Sequence, residues 1–177
     1  MGFLCISKHA KWEMLWYDVG TKIDGPVYLE TIKKYVCRGT TKRAEDVELI
    51  WQEDNAPCHT ASKIRDEKEA ELKQAGLKTL VEAFGLKWPA KSPDLSPIEN
   101  VWAWIDHRLK EHHITTLHGM RAFVNRLVRS KAFADVVSDM LDSFKRRLQK
   151  CVEMEGENVQ NVDPADTRAL PEAVEVS

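Results

Sequence analysis

The chain has 177 residues, 43% of them apolar and 31% charged, with a formal net charge of −2. That balance fits one globular domain and excludes fibrous and low-complexity classes. No apolar run reaches the roughly 18 residues of a membrane span. The N-terminus is charged too early to read as a signal peptide. The four cysteines form no C-x-x-C pair, which argues against a zinc site and for reduced thiols in an intracellular protein, nuclear if the source is eukaryotic.

In chain order, Phe3 to Ile6 and Met14 to Val19 read as two antiparallel strands separated by the polar Lys8-His9-Ala10-Lys11. Asp24-Gly25-Pro26 ends the hairpin, and Pro26 suits a helix start with Val27, Leu29, Ile32, Tyr35 and Val36 as its stripe. Cys37 to Lys42 reads as a loop, and Val47 to Trp51 as a buried strand. A highly charged surface helix is expected from Ala61 to Gln74, ending at Gly76. A second helical stretch covers Leu77 to Phe84, and Leu86-Lys87-Trp88 reads as a short strand. Pro89, Pro93 and Pro97 hold an extended loop.

Ser96 as N-cap and Pro97 at the first helical position then open a helix whose buried face is Ile98, Val101, Trp102, Ile105 and Leu109. Trp102 and Trp104 cannot both face the core at that spacing, and Trp102 is the expected core ring. Helices also fit Leu117 to Ser130 and Phe133 to about Val152. The tail from Glu155 has few large apolar residues and reads as disordered. From Glu153 onward there are seven acids and one base, so the preceding body is mildly basic. That charge is compatible with a nucleic-acid partner without demanding one. Overall the pattern is α/β, a mixed sheet flanked by helices with extra helices at the C-terminal end.

Two strings carry the chemistry. The first is Gln52-Glu53-Asp54-Asn55-Ala56-Pro57-Cys58-His59, and the second is Ser92-Pro93-Asp94-Leu95-Ser96-Pro97-Ile98-Glu99-Asn100. Asp54 stands where a strand gives way to a loop, the usual place for ligand-binding residues in open α/β sheets. Its plainer reading is a turn residue that bonds its own backbone. Glu99 stands in the first turn of a helix. Its plainer reading is the second half of a Ser96-x-x-Glu99 capping box. Two carboxylates converging on one pocket can hold Mg2+, the ion suited to phosphodiester cleavage. Asn55 and Asn100 beside the acids, and His59 at a helix entry, are site-adjacent, with turn and structural roles as alternatives. Cys58 next to His59 reads as a loop cysteine. Arg121, Arg126 and Arg129, with Lys145, Arg146 and Arg147, could track a phosphate backbone or simply form solvated helix faces.

Together the strings resemble the second and third acidic motifs of mariner-like DDE transposases. The longer match runs Trp88-Pro89-Ala90-Lys91-Ser92-Pro93-Asp94-Leu95-Ser96-Pro97-Ile98-Glu99-Asn100-Val101-Trp102. The first string differs in having Glu53 between Gln52 and Asp54, which leaves Asp-Asn-x-Pro intact. The resemblance covers about Phe3 to Lys110. It implies an RNase H-like fold, Asp54 and Glu99 as catalytic metal ligands for Mg2+ or Mn2+, and transposon-end and target DNA as partners, with a homodimer as one assembly. Forty-four residues separate the two acids, more than is usual in the family, and the charged stretch around Arg65 to Gln74 looks like the extra material. The family's first catalytic Asp and its helix-turn-helix DNA-binding region have no counterpart here. The expectation is therefore an N-terminally truncated catalytic domain: residues 1–112 as its acid-bearing part, 113–154 as C-terminal helices of the same domain, and 155–177 as an acidic tail. Two functions follow: metal-dependent DNA cleavage and strand transfer, or a non-catalytic module that keeps the fold and binds DNA or a protein.

Overall fold

Gly2–Phe3 (β1) and Leu15–Trp16 (β2) pair antiparallel, Gly2 opposite Trp16 and Phe3 opposite Leu15. The hairpin is present with shorter strands than the sequence suggests. The structure is a computed structural model, and it describes residues 1–10, 12–40 and 47–155. They fall into two compact units, divided between Lys91 and Ser92.

In the first unit, Asp24 caps helix α1 (Gly25–Thr31) by accepting the Val27 N–H. The helix does not stop at Cys37. It continues through a π-helical segment, Ile32–Val36, into α2 (Cys37–Thr40), so the loop expected from Cys37 is helical as far as Thr40. Residues 41 and 42 of that loop lie outside the described residues. The wider π turn has a partner: the Trp12 indole donates to the Val36 carbonyl at 3.1 Å. Tyr28, Leu29, Ile32 and Val36 enter the core of this unit.

Strand β3 (Leu49–Trp51) runs parallel to β4 (Leu77–Thr79), with Leu49 opposite Leu77 and Trp51 opposite Thr79. Between them, a 3-10 turn at Ser62–Ile64 leads into α3 (Arg65–Gln74). Two expectations change here. Leu77 to Thr79 form a strand, and only Leu80–Phe84 (α4) are helical. Leu86-Lys87-Trp88 takes no regular structure. Nor is α3 merely a surface helix: Ile64, Lys68 and Leu72, spaced four apart, are all buried, Leu72 completely.

In the second unit, Pro93–Leu95 form a 3-10 turn where an extended loop was expected. Helices α5 (Pro97–Glu111), α6 (Leu117–Leu127) and α7 (Lys131–Glu153) follow. Thr116 and Ser130 cap α6 and α7 by accepting the N–H groups of Gly119 and Phe133. On α5 the buried face is Pro97, Val101, Trp104 and Ile105. Trp104 is the core ring, packed at 6.1 Å from Phe133 and covered by the Arg108 guanidinium, while Trp102 is half-buried. Residues 156–177, most of the expected tail, lie outside the described residues. Mixed α/β architecture with small sheets and many helices is as expected.

Candidate metal centre and its supports

Side chains alternate faces along a strand and just beyond it. Leu49 is buried and Ile50 exposed; continuing the pattern, Glu53 turns inward and Asp54 outward. Two adjacent acids therefore meet different surroundings.

Glu53 is fully engaged. Its Oε2 accepts from the Tyr28 hydroxyl at 2.5 Å and from the Trp51 indole at 2.9 Å. Its Oε1 forms an ion pair with Lys68 of α3. The Lys68 ammonium, itself buried, also donates to the His59 carbonyl at 2.7 Å. Burial, and then the Glu53 charge, push the Tyr28 hydroxyl far above the ordinary tyrosine range.

The Asp54 side chain is 63% exposed. One oxygen, Oδ1, accepts the Ala56 N–H at 3.0 Å, so the turn reading of Asp54 holds. The same Oδ1 lies 2.6 Å from His59 Nδ1. That contact has ion-pair length, but its N–H alignment falls short of a hydrogen bond. The His59 ring packs on Tyr28, centroids 4.1 Å apart. The turn bond and the His59 contact both use Oδ1 while the side chain stays largely exposed, so a turn and a ligand role are compatible. Asn55 donates from Nδ2 to the Trp88 carbonyl at 3.1 Å, tying the first string to the start of the longer match. Burial raises the Cys58 thiol above its usual range, with the Asp54 and Glu53 charges adding to the effect. The thiolate is disfavoured, which suits a loop cysteine and not a nucleophile.

In the second unit Ser96 is the N-cap residue of α5 but makes no side-chain capping bond. Its own N–H donates to the Pro93 carbonyl at 3.0 Å, the group Glu99 would have to reach in a capping box. The box is therefore not formed. A genuine one exists in the first unit, where Thr79 and Glu82 exchange both bonds at the start of α4. Glu99 stays exposed in the first turn of α5. Asn100 next to it is half-buried, and its Nδ2 has no hydrogen-bond partner among the described residues.

The chain is similar to known proteins over this same region. A family model described as DDE superfamily endonuclease matches residues 3–121.

The chain belongs to the DDE endonuclease superfamily.

Among similar relatives, the transposable element Tcb2 transposase of Caenorhabditis briggsae is 25% identical over 131 residues, 72% of this chain and 41% of the relative. The Tc1 transposase of Caenorhabditis elegans is 29% identical over 110 residues, 61% of this chain and 36% of the relative. The Tc3 transposase of the same organism reaches 44% over 52 residues. The chain thus spans about two fifths of the length of the first of these curated relatives. The family resemblance carried by the two strings stands.

For a DDE protein the donor chemistry is suitable. Asp54 and Glu99 are exposed carboxylates, the hard oxygen donors that Mg2+ and Mn2+ prefer. Among the described residues no group of three or more His, Cys, Asp or Glu side chains is gathered tightly enough to hold a metal ion. Of the basic residues, Arg126, Arg129 and Arg146 are exposed and Arg121 is half-buried. Arg147 is not a surface group: burial holds its guanidinium below the usual arginine range, and Nη1 donates to the Asp94 carbonyl at 3.3 Å. Lys145 lies on α7 with Arg146 and Arg147. Sequence reading missed Glu53 and Lys68. The strand alternation through Leu49 and Trp51 could have pointed to Glu53, whereas nothing local marks Lys68 as buried.

Proposed function

We propose that this chain is the C-terminal part of a DDE transposase catalytic domain with an RNase H-like fold, acting in DNA transposition by metal-dependent cleavage and strand transfer. Residues 1–112 form its acid-bearing part, residues 113–154 are helices of the same domain, and 155–177 are an acidic tail. The observation that carries the reading is the family match across both acidic strings, joined to the exposure of Asp54 and Glu99. Glu99 in particular is free of the capping role that would otherwise account for it.

In this account Asp54 and Glu99 are the catalytic ligands of Mg2+ or Mn2+, with a third acid supplied from elsewhere. Such ions, when bound, activate water or a 3′-hydroxyl and stabilise the leaving oxygen. The Asx turn orients Asp54, His59 flanks it, and Asn100 lies beside Glu99 with a donor unused among the described residues. DNA, as transposon ends and target, is the partner. Arg121, Arg126, Arg129, Lys145 and Arg146 are its phosphate contacts, and Arg147 serves packing. A homodimer is the expected assembly and the nucleus the expected place in a eukaryotic cell. No helix among the described residues is long and apolar enough to cross a membrane.

The test is nicking of supercoiled DNA by the 177-residue chain in Mg2+ or Mn2+, set against Asp54→Asn and Glu99→Gln. Nicking lost in both variants supports the enzyme. Nicking retained in both overturns the site. No nicking by any of the three, with DNA binding retained, favours the non-catalytic module.

A further inference from the structure

The Asx turn to Ala56 does not act alone on Asp54. Asp54 also contacts His59, whose ring rests on Tyr28 and whose backbone carbonyl accepts from Lys68. Tyr28 and Lys68 both bind Glu53, the residue just before Asp54. The loop from Glu53 to His59 is therefore fastened at both ends by one buried ammonium, with its exposed carboxylate between the fastenings. Lys68 also lies 5.8 Å over the Tyr28 ring, so the same charge holds the surface on which His59 packs. The three donors of the Lys68 ammonium let one group serve both ends at once.

We propose that Lys68 and Glu53 are positioning residues for Asp54: their ion pair clamps the loop so that the Asp54 carboxylate is held ready for a divalent cation. This rests on the reading of Asp54 as a metal ligand. It gives a role to the one departure of the first string, Glu53, and to a helix the sequence suggests is extra material. Groups that orient a ligand from behind typically change metal affinity by about 10–100-fold when removed.

The experiment uses the full chain and two NMR readouts. The first needs no metal: the ring-proton shifts of His59, displaced by the Tyr28 ring beneath. The second is the Mn2+ concentration that half-broadens the Asn55 and Ala56 amide signals. Lys68→Met is expected to move the His59 shifts toward those of a free imidazole and to raise the Mn2+ midpoint about 10-fold or more. Lys68→Arg, which keeps the charge and the donors, is expected to recover most of both. If Lys68→Met does not fold, Tyr28→Phe decides. It keeps the ring but loses the bond to Glu53, and it is expected to raise the Mn2+ midpoint in the same direction. A folded Lys68→Met, or in its place Tyr28→Phe, with a wild-type midpoint overturns the clamp while leaving Asp54 as a ligand. Wild-type broadening that survives Asp54→Asn, or a wild type that Mn2+ does not broaden at these amides, overturns the ligand reading and the clamp with it.

Discussion

Ser96 and Glu99 are spaced as a capping box, yet the Ser96 N–H belongs to Pro93 and the Glu99 carboxylate is left exposed. The 3-10 turn at Pro93–Leu95 is the cause, since it brings the Pro93 carbonyl to the group that Glu99 would otherwise use. The Thr79–Glu82 pair shows what the same spacing does when no such turn precedes it.

The contrast predicts unequal costs. Thr79→Ala removes a working cap and is expected to cost about 1 kcal/mol of stability. Ser96→Ala removes no capping bond and is expected to cost less than half of that, and Glu99→Gln is expected to leave stability unchanged. Chemical denaturation of the three variants checks this. A Glu99→Gln loss as large as that of Thr79→Ala would mean that Glu99 is structural.

Buried acids with raised pKa values set the alkaline limit. Burial raises Tyr28 and Tyr35, and to a lesser depth Tyr17, above their ordinary values. It also raises the Cys5 and Cys37 thiols. A group whose folded pKa exceeds its unfolded value contributes stability fully present below the unfolded pKa and lost as pH rises toward the folded one. The window follows from the unfolded values, about 8.5 for cysteine and about 10 for tyrosine. Stability is expected to begin falling above about pH 8.5 and to fall more steeply above about pH 10. Tyrosinate absorbance is expected to rise together with loss of circular dichroism. Absorbance rising near pH 10 with the dichroism intact would contradict the burial.

Arginines on α6, on α7 and in the turn between them separate by role. Arg126→Ala, Arg129→Ala and Arg146→Ala are each expected to weaken DNA binding regardless of sequence, and each to lower the salt dependence by about one unit of slope. Their melting temperatures are expected to stay close to wild type. Arg147→Ala is expected to do the reverse, because its guanidinium is buried against the Asp94 carbonyl. Fluorescence anisotropy across a salt series, with melting curves, checks both. An Arg147→Ala protein that melts as wild type but binds DNA more weakly would put Arg147 back among the phosphate contacts.

Much of this could be read from the sequence, for physical reasons that also explain the failures. The helix start at Pro26, the hairpin and the Asp54 turn rest on local chemistry, and local chemistry is visible in sequence. The strand at Leu77–Thr79 was not visible. Three residues show no period, and they become a strand only by pairing with Leu49–Trp51 across α3. Trp104 displaced Trp102 from the core because α7 offers it Phe133 and Arg108 shields its outer face. The motif strings marked Asp54 but not its neighbour Glu53, whose three partners come from a helix before it, its own strand and a helix after it.

The central claim is that Asp54 and Glu99 hold one cation. Mn2+ titration of the chain, followed at the Asn55 and Asn100 amides together, tests it most directly. The account predicts a single midpoint for both signals and loss of broadening at both in either Asp54→Asn or Glu99→Gln. Broadening at Asn100 that persists in Asp54→Asn, or at Asn55 in Glu99→Gln, would contradict it.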